Sequence, residues 1–89
     1  MRLKIGICDD DADQRNYLAE RVRIWAGGNR HLIELEQYPG AKEFLFSYEE
    51  SKDFDILLLD VEMPEVSGIE LAKQVRSENT AVQIVFITG

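Results

Sequence analysis

The chain has 89 residues, enough for one small domain, and 17 acidic against 10 basic residues give a net charge of −7. That balance argues against nucleic acid as a direct ligand of this segment and favours a divalent cation or a basic partner surface. The single Cys8 excludes an internal disulfide, and no apolar stretch approaches the roughly 20 residues that span a bilayer, so no membrane contact and a cytoplasmic location are expected.

Leu3 to Cys8 alternates and then meets three acids, which predicts a first strand. From Asp11 to about Ala26 the spacing is helical, with Leu18, Val22 and Trp25 as the expected buried stripe and Asp11 with Gln14 as a capping box. Gly27-Gly28-Asn29 is expected to stop that helix. His31 to Tyr38 alternates strictly, as a half-exposed strand does, until Pro39-Gly40 breaks it. Ala41, Phe44, Leu45 and Tyr48 then fall on one helical face. Ile56 to Leu59 is apolar throughout, which predicts a strand covered on both sides. Ser67 and Glu70 open a third helix, with Ile69, Ala72 and Val75 as its expected stripe. Ala81 to Ile87 reads as a fourth strand, also buried, followed by Thr88-Gly89.

The order βαβαβαβ implies a parallel sheet with right-handed crossovers, a doubly wound α/β fold. The chain stops directly on a strand, whose open edge such a fold would bury. The expectation is a fragment that self-associates through the exposed sheet edge.

Strands one and three lie side by side in such a sheet, so their carboxyl ends bring Asp9, Asp10 and Asp60 together. Ligands bind at that edge of open α/β sheets. Clustered carboxylates repel unless they are protonated or a cation neutralises them. Hard oxygen ligands with open positions suit Mg²⁺. Thr88, at the end of strand four, would add a hydroxyl at the same edge. A nucleophilic carboxylate, a metal and a hydroxyl donor together suit a phosphoryl group.

Cys8-Asp9-Asp10-Asp11, Leu59-Asp60-Val61-Glu62-Met63-Pro64 with Gly68, and Ile87-Thr88-Gly89 occur here in this order. With them the chain resembles, over its whole length, the receiver domain of two-component response regulators. The resemblance implies a flavodoxin-like fold over residues 1–89, incomplete at the C-terminus and lacking the last helix-strand-helix. It implies a switch rather than a turnover enzyme, in which Asp60 accepts phosphate from a histidine kinase. Asp10, Asp60 and the backbone carbonyl of Glu62 would bind Mg²⁺, Asp9 would hold a metal-bound water, and Thr88 would be the switch residue. Gly89 would leave room for the phosphate. The family's Lys at the end of a fifth strand would lie beyond Gly89, as would an output domain controlling transcription. The stretch Ile5-Gly6-Ile7-Cys8-Asp9-Asp10-Asp11, with Arg15 downstream, most resembles receivers attached to LytTR-type DNA-binding domains.

Competing readings are weaker. Asp11 fits a plain helix cap. A calcium loop through Asp9, Asp11, Asp13 and Glu20 meets Gln14 where the sharp turn requires Gly. The alternative enzyme is a haloacid-dehalogenase-type phosphatase using Asp9 and Asp11. It leaves Asp60 to Gly68 unexplained and meets Asp13 where Thr or Val is expected.

Overall fold

A computed structural model describes residues 2–87; Met1, Thr88 and Gly89 lie outside the described residues. The elements are β1 (Arg2–Cys8), α1 (Ala12–Gly28), β2 (Leu32–Tyr38), α2 (Ala41–Glu50), β3 (Ile56–Asp60), α3 (Gly68–Glu78) and β4 (Gln83–Ile87). All strand pairs are parallel, and the sheet order is β2-β1-β3-β4. The chain steps outward from β1 to β2, then crosses back to place β3 on the other side of β1. Such a reversal opens a crevice at the carboxyl ends of the two central strands. In-register pairing of Cys8 with Leu59 brings Asp9 and Asp60 to that crevice.

Side chains alternate across a strand, so each strand serves two faces. Cys8, Leu57 and Leu59 face α2 and α3, and pack with Phe44, Tyr48, Phe54, Leu71 and Val75 in the main core. Aromatic rings fill its middle. Tyr38 meets Phe44 edge-on, with centroids 5.2 Å apart at 88°, and Phe44 stacks on Tyr48 at 5.4 Å. Ile5 and Ile7 alternate with Cys8 and so serve the face that α1 crosses, where Ala19 and Ala26 are the buried helix residues.

Several expectations shift. Leu18 and Val22 are only half-buried, and Trp25 is 44% exposed, its ring tilted at 32° against His31 with centroids 5.1 Å apart. The helix turns its small residues to the sheet, because alanines let its backbone approach closely. α1 also runs through Gly27 and Gly28. It ends at Asn29, whose N–H donates to the Trp25 carbonyl, and Arg30 takes the left-handed turn at φ 58°. In α3 the buried stripe is Gly68, Leu71, Ala72 and Val75, while Ile69 is 46% exposed. β3 is fully buried only on its α2–α3 side; Ile56 and Leu58 are half-buried, because α1 lies over β1 and β2. β4, expected to be buried, is mostly exposed: Val85 and Phe86 are open by 47% and 46%, since α3 covers only part of one face. Among the described residues β4 pairs with β3 alone, so its outer edge is free.

Candidate functional site

Each acid near the crevice is held by its own local geometry. Asp9 follows the last residue of β1 and is 2% exposed, the one fully buried charged residue among those described. Its N–H donates to the Tyr38 carbonyl at 3.1 Å, which extends the β1–β2 ladder by one residue. Its carboxylate oxygen Oδ1 accepts the Asp11 N–H at 2.9 Å. This Asx turn bends the chain toward α1. Asp11 is the N-cap of α1, and its Oδ1 accepts the N–H groups of Asp13 and Gln14. Asp10, between them, is exposed, and among the described residues its carboxylate has no hydrogen-bond partner.

Asp60 ends β3, is half-buried, and accepts the Glu62 N–H on Oδ1 at 3.2 Å. Val61 N–H continues the pairing to Ile87 at 3.1 Å, and Gly68 N–H returns to the Val61 carbonyl at 3.1 Å. That return folds the loop tightly over the strand end. A Cβ added at Gly68 would overlap the Asp60 carbonyl oxygen, so only glycine permits this closure. Within the loop, Met63 is buried with its Sδ 3.6 Å from Cys8 Sγ, which ties the segment after Asp60 to the residue before Asp9. Glu65 sits at φ 67° and pairs with Lys42 on α2 at 2.9 Å. A non-glycine residue in that region costs on the order of 1–3 kcal/mol and depends on its surroundings to hold it.

Asp9, Asp10 and Asp60 converge, each with a carboxylate oxygen within 4.8 Å of the others. Among the described residues no Lys or Arg forms a salt bridge with any of the three. Burial raises the Asp9 carboxyl above the usual carboxylate range; the Asp11 N–H opposes this, and the charges of Asp60 and Asp10 add to it. A cluster of anionic oxygens, one of them buried and unmatched, is the donor set that a hard divalent cation requires. Asp10 also borders an open cleft of about 340 Å³, lined by Gly40, Lys42, Pro64 and Glu65.

Cys8 lies directly beneath the site. Burial pushes its thiol up to about 12, with the Glu43 and Asp9 charges adding to the shift. It is an inert packing residue. Asp11, the second acid of the phosphatase alternative, is engaged in capping α1. Glu62 is exposed in the Asp60 loop, and Thr88 lies outside the described residues. Arg15, named in the sequence only for the resemblance to LytTR-linked receivers and given no role there, donates through Nη1 to the Asp9 carbonyl at 2.7 Å. Its position, six residues after Asp9 and one helical turn past the N-cap, was the available signal.

The comparisons agree with this geometry. The family model described as response regulator receiver domain matches residues 5–89. The response regulator receiver protein CpdR of Brucella abortus is 33% identical over 97% of this chain. The transcriptional regulatory protein NatR of Bacillus subtilis is 39% identical over 98%. The chain spans 66% of the length of the first and 35% of the second. Among solved structures, the two component transcriptional regulator AraC of Clostridium phytofermentans superposes with a TM-score of 0.82 at 24% identity, covering 98% of this chain and 67% of that one. TrrA of Thermotoga maritima, solved in complex with Mg²⁺-BeF, gives 0.78 at 26%, covering 97% and 69%. With its flavodoxin-like sheet and its three converging carboxylates, the chain belongs to the family of response regulator receiver domains.

Proposed function

We propose that residues 1–89 are the phosphoacceptor part of a receiver and that Asp60 is the residue phosphorylated. The single observation that carries this reading is the convergence of Asp60 with Asp9 and Asp10 at the strand-order reversal. The donor would be a phosphohistidine of a histidine kinase. The histidine N–P bond breaks, an Asp60 carboxylate oxygen forms the new O–P bond, and the imidazole takes a proton from solvent. Asp10, Asp60 and the Glu62 carbonyl would hold Mg²⁺, with Asp9 holding a metal-bound water. Bound there, the ion would offset the negative charge of the carboxylates and of the incoming phosphoryl group. The complex of TrrA with Mg²⁺-BeF supports that choice of metal.

Asp60 is the acceptor of choice because it is half-buried at a strand end, with the loop after it packed against its backbone at Gly68 and one carboxylate oxygen accepting the Glu62 N–H. Asp9 is buried and turned onto Asp11, and Asp10 is exposed without a fixing bond. An acyl phosphate on Asp60 carries about 1.5 to 2 negative charges where the carboxylate carried one, and presents three acceptor oxygens, to which Thr88 would respond as the switch. The equilibrium so shifted would control a linked output, and transcription is the output that the name of NatR supports.

The test is labelling with acetyl phosphate and Mg²⁺, with the modified residue mapped by mass spectrometry. One phosphoryl group on Asp60, absent from Asp60→Asn and retained by Asp11→Asn, supports the reading. Phosphate on Asp9, or rapid turnover of p-nitrophenyl phosphate, contradicts it.

A further inference from the structure

We propose that Arg15 is a positioning residue of the carboxylate site: it fixes the peptide plane joining Asp9 to Asp10 and so sets the direction in which the Asp10 carboxylate leaves the chain. The proposal rests on the receiver reading for the identity of the ligand. Its geometry stands on the contacts around Asp9.

Three polar groups of Asp9 have assigned partners. Its N–H goes to the Tyr38 carbonyl at 3.1 Å, its side chain takes the Asp11 N–H at 2.9 Å, and its carbonyl takes Arg15 Nη1 at 2.7 Å. The first bond belongs to the sheet and the second to the turn. The second closes a turn around the peptide that continues into Asp10, and the third is the one bond that holds that peptide by its own oxygen. Asp10 has no hydrogen bond on its carboxylate among the described residues. Its direction therefore depends on the peptide plane before it, which the turn encloses and the guanidinium holds at the carbonyl oxygen. Arg15 is itself rooted in the first turn of α1, where its N–H donates to the Asp11 carbonyl at 2.9 Å. It is half-buried, and the bond is charge-assisted and short, so it holds an orientation better than a neutral surface contact would.

A second role for Arg15 makes the opposite prediction. A guanidinium bound to the Asp9 carbonyl, close to the carboxylate cluster, repels a cation. On charge alone, removing it tightens Mg²⁺ binding. Removing the restraint on Asp10 instead weakens binding, because a carboxylate that must be ordered at the moment of binding costs affinity. Loss of an outer partner of a metal ligand typically lowers metal affinity by about tenfold or more. The sign of the change separates the two roles.

The experiment is a Mg²⁺ titration of the metal-free protein, followed by the NMR amide shifts of Asp10 and Asp60. Wild type is compared with Arg15→Met, Arg15→Gln and Arg15→Lys, and unfolding in EDTA is measured in parallel. We expect Arg15→Met to weaken Mg²⁺ binding about tenfold. Arg15→Lys, which keeps the charge and a donor, should recover most of the loss. Arg15→Gln replaces Arg15→Met if the latter does not fold. Unchanged or tighter binding in a folded variant lacking the guanidinium overturns the proposal, and so does a loss of stability in EDTA with affinity intact. A wild type that binds no Mg²⁺ defeats the receiver reading itself, and the proposal with it.

Discussion

The two ends of the parallel sheet treat their charges in opposite ways. At the amino end, Lys4 pairs with Glu34 across the β1–β2 register and with Asp53 at 3.0 Å, while Arg2 pairs with Glu34 at 2.9 Å. Lys4 N–H also donates to Asp55, and its Nζ lies 4.5 Å from the centre of the Phe54 ring. At the carboxyl end, Asp9, Asp10 and Asp60 converge with no cationic side chain paired to their carboxylates among the described residues, the Arg15 guanidinium going to the Asp9 backbone carbonyl instead. Both ends are acidic. The first set of acids is matched and serves to close β1, β2 and β3 together. The second is left unmatched, with one member buried, and that is costly unless something outside the chain compensates. Charge composition alone does not separate a structural cluster from a ligand site; pairing does.

The sharpest challenge to this contrast comes from the loop that holds Asp60. Gly68→Ala should lose about 1–3 kcal/mol in urea unfolding, since the added methyl has no space beside the Asp60 carbonyl. It should also lower the rate of acetyl phosphate labelling. Normal stability with normal labelling would show that the loop does not fix the acid. Lys4→Met should lose less than that, because it leaves Glu34, Asp53 and the Phe54 ring without their partner but both acids keep access to water. That loss should be the same with and without Mg²⁺. Asp9→Asn should do the reverse, raising the melting temperature of the metal-free protein by removing a buried like charge while keeping an oxygen for the Asp11 N–H.

A smaller effect separates the two ends by pH. Hydrogen bonds from Ser51 and Lys4 hold the Asp53 carboxyl down at about 2. Its folded value lies below the unfolded one, so its contribution is present above the ordinary Asp range and is lost as pH falls toward 2. Asp53→Asn should flatten that part of the acid unfolding profile. The smallest effect is a control away from both ends. Arg30→Gly should gain about 1 kcal/mol by relieving the left-handed turn after α1.

The sequence carried the element order and the three acids because both depend on local pattern: apolar runs that end on carboxylates, then Pro or Gly. It carried less about which side of an element faces inward. In α1 the eye follows Leu18, Val22 and Trp25, but contact with the sheet is made through Ala19 and Ala26, whose small size is the reason they fit. Gly27 and Gly28 looked like a stop, yet nothing in their φ requires glycine, and the turn falls on Arg30. Ile84 to Ile87 is as apolar as β3, and composition cannot report how far a neighbouring helix reaches across a strand. Arg15 stood in the motif that marked the resemblance, but its role did not show. Its role depends on one backbone carbonyl six residues away, and a hydrogen bond to the main chain leaves no mark on residue types.

The central claim is that the unmatched carboxyl-end acids are completed by a divalent cation. Its most direct test is the unfolding free energy of the protein as Mg²⁺ is raised at constant ionic strength. The account predicts a rise that grows logarithmically above the dissociation constant. It predicts that Asp10→Asn abolishes the rise and that Lys4→Met leaves it intact. A wild-type stability indifferent to Mg²⁺, or an equal rise in Asp10→Asn, would contradict it.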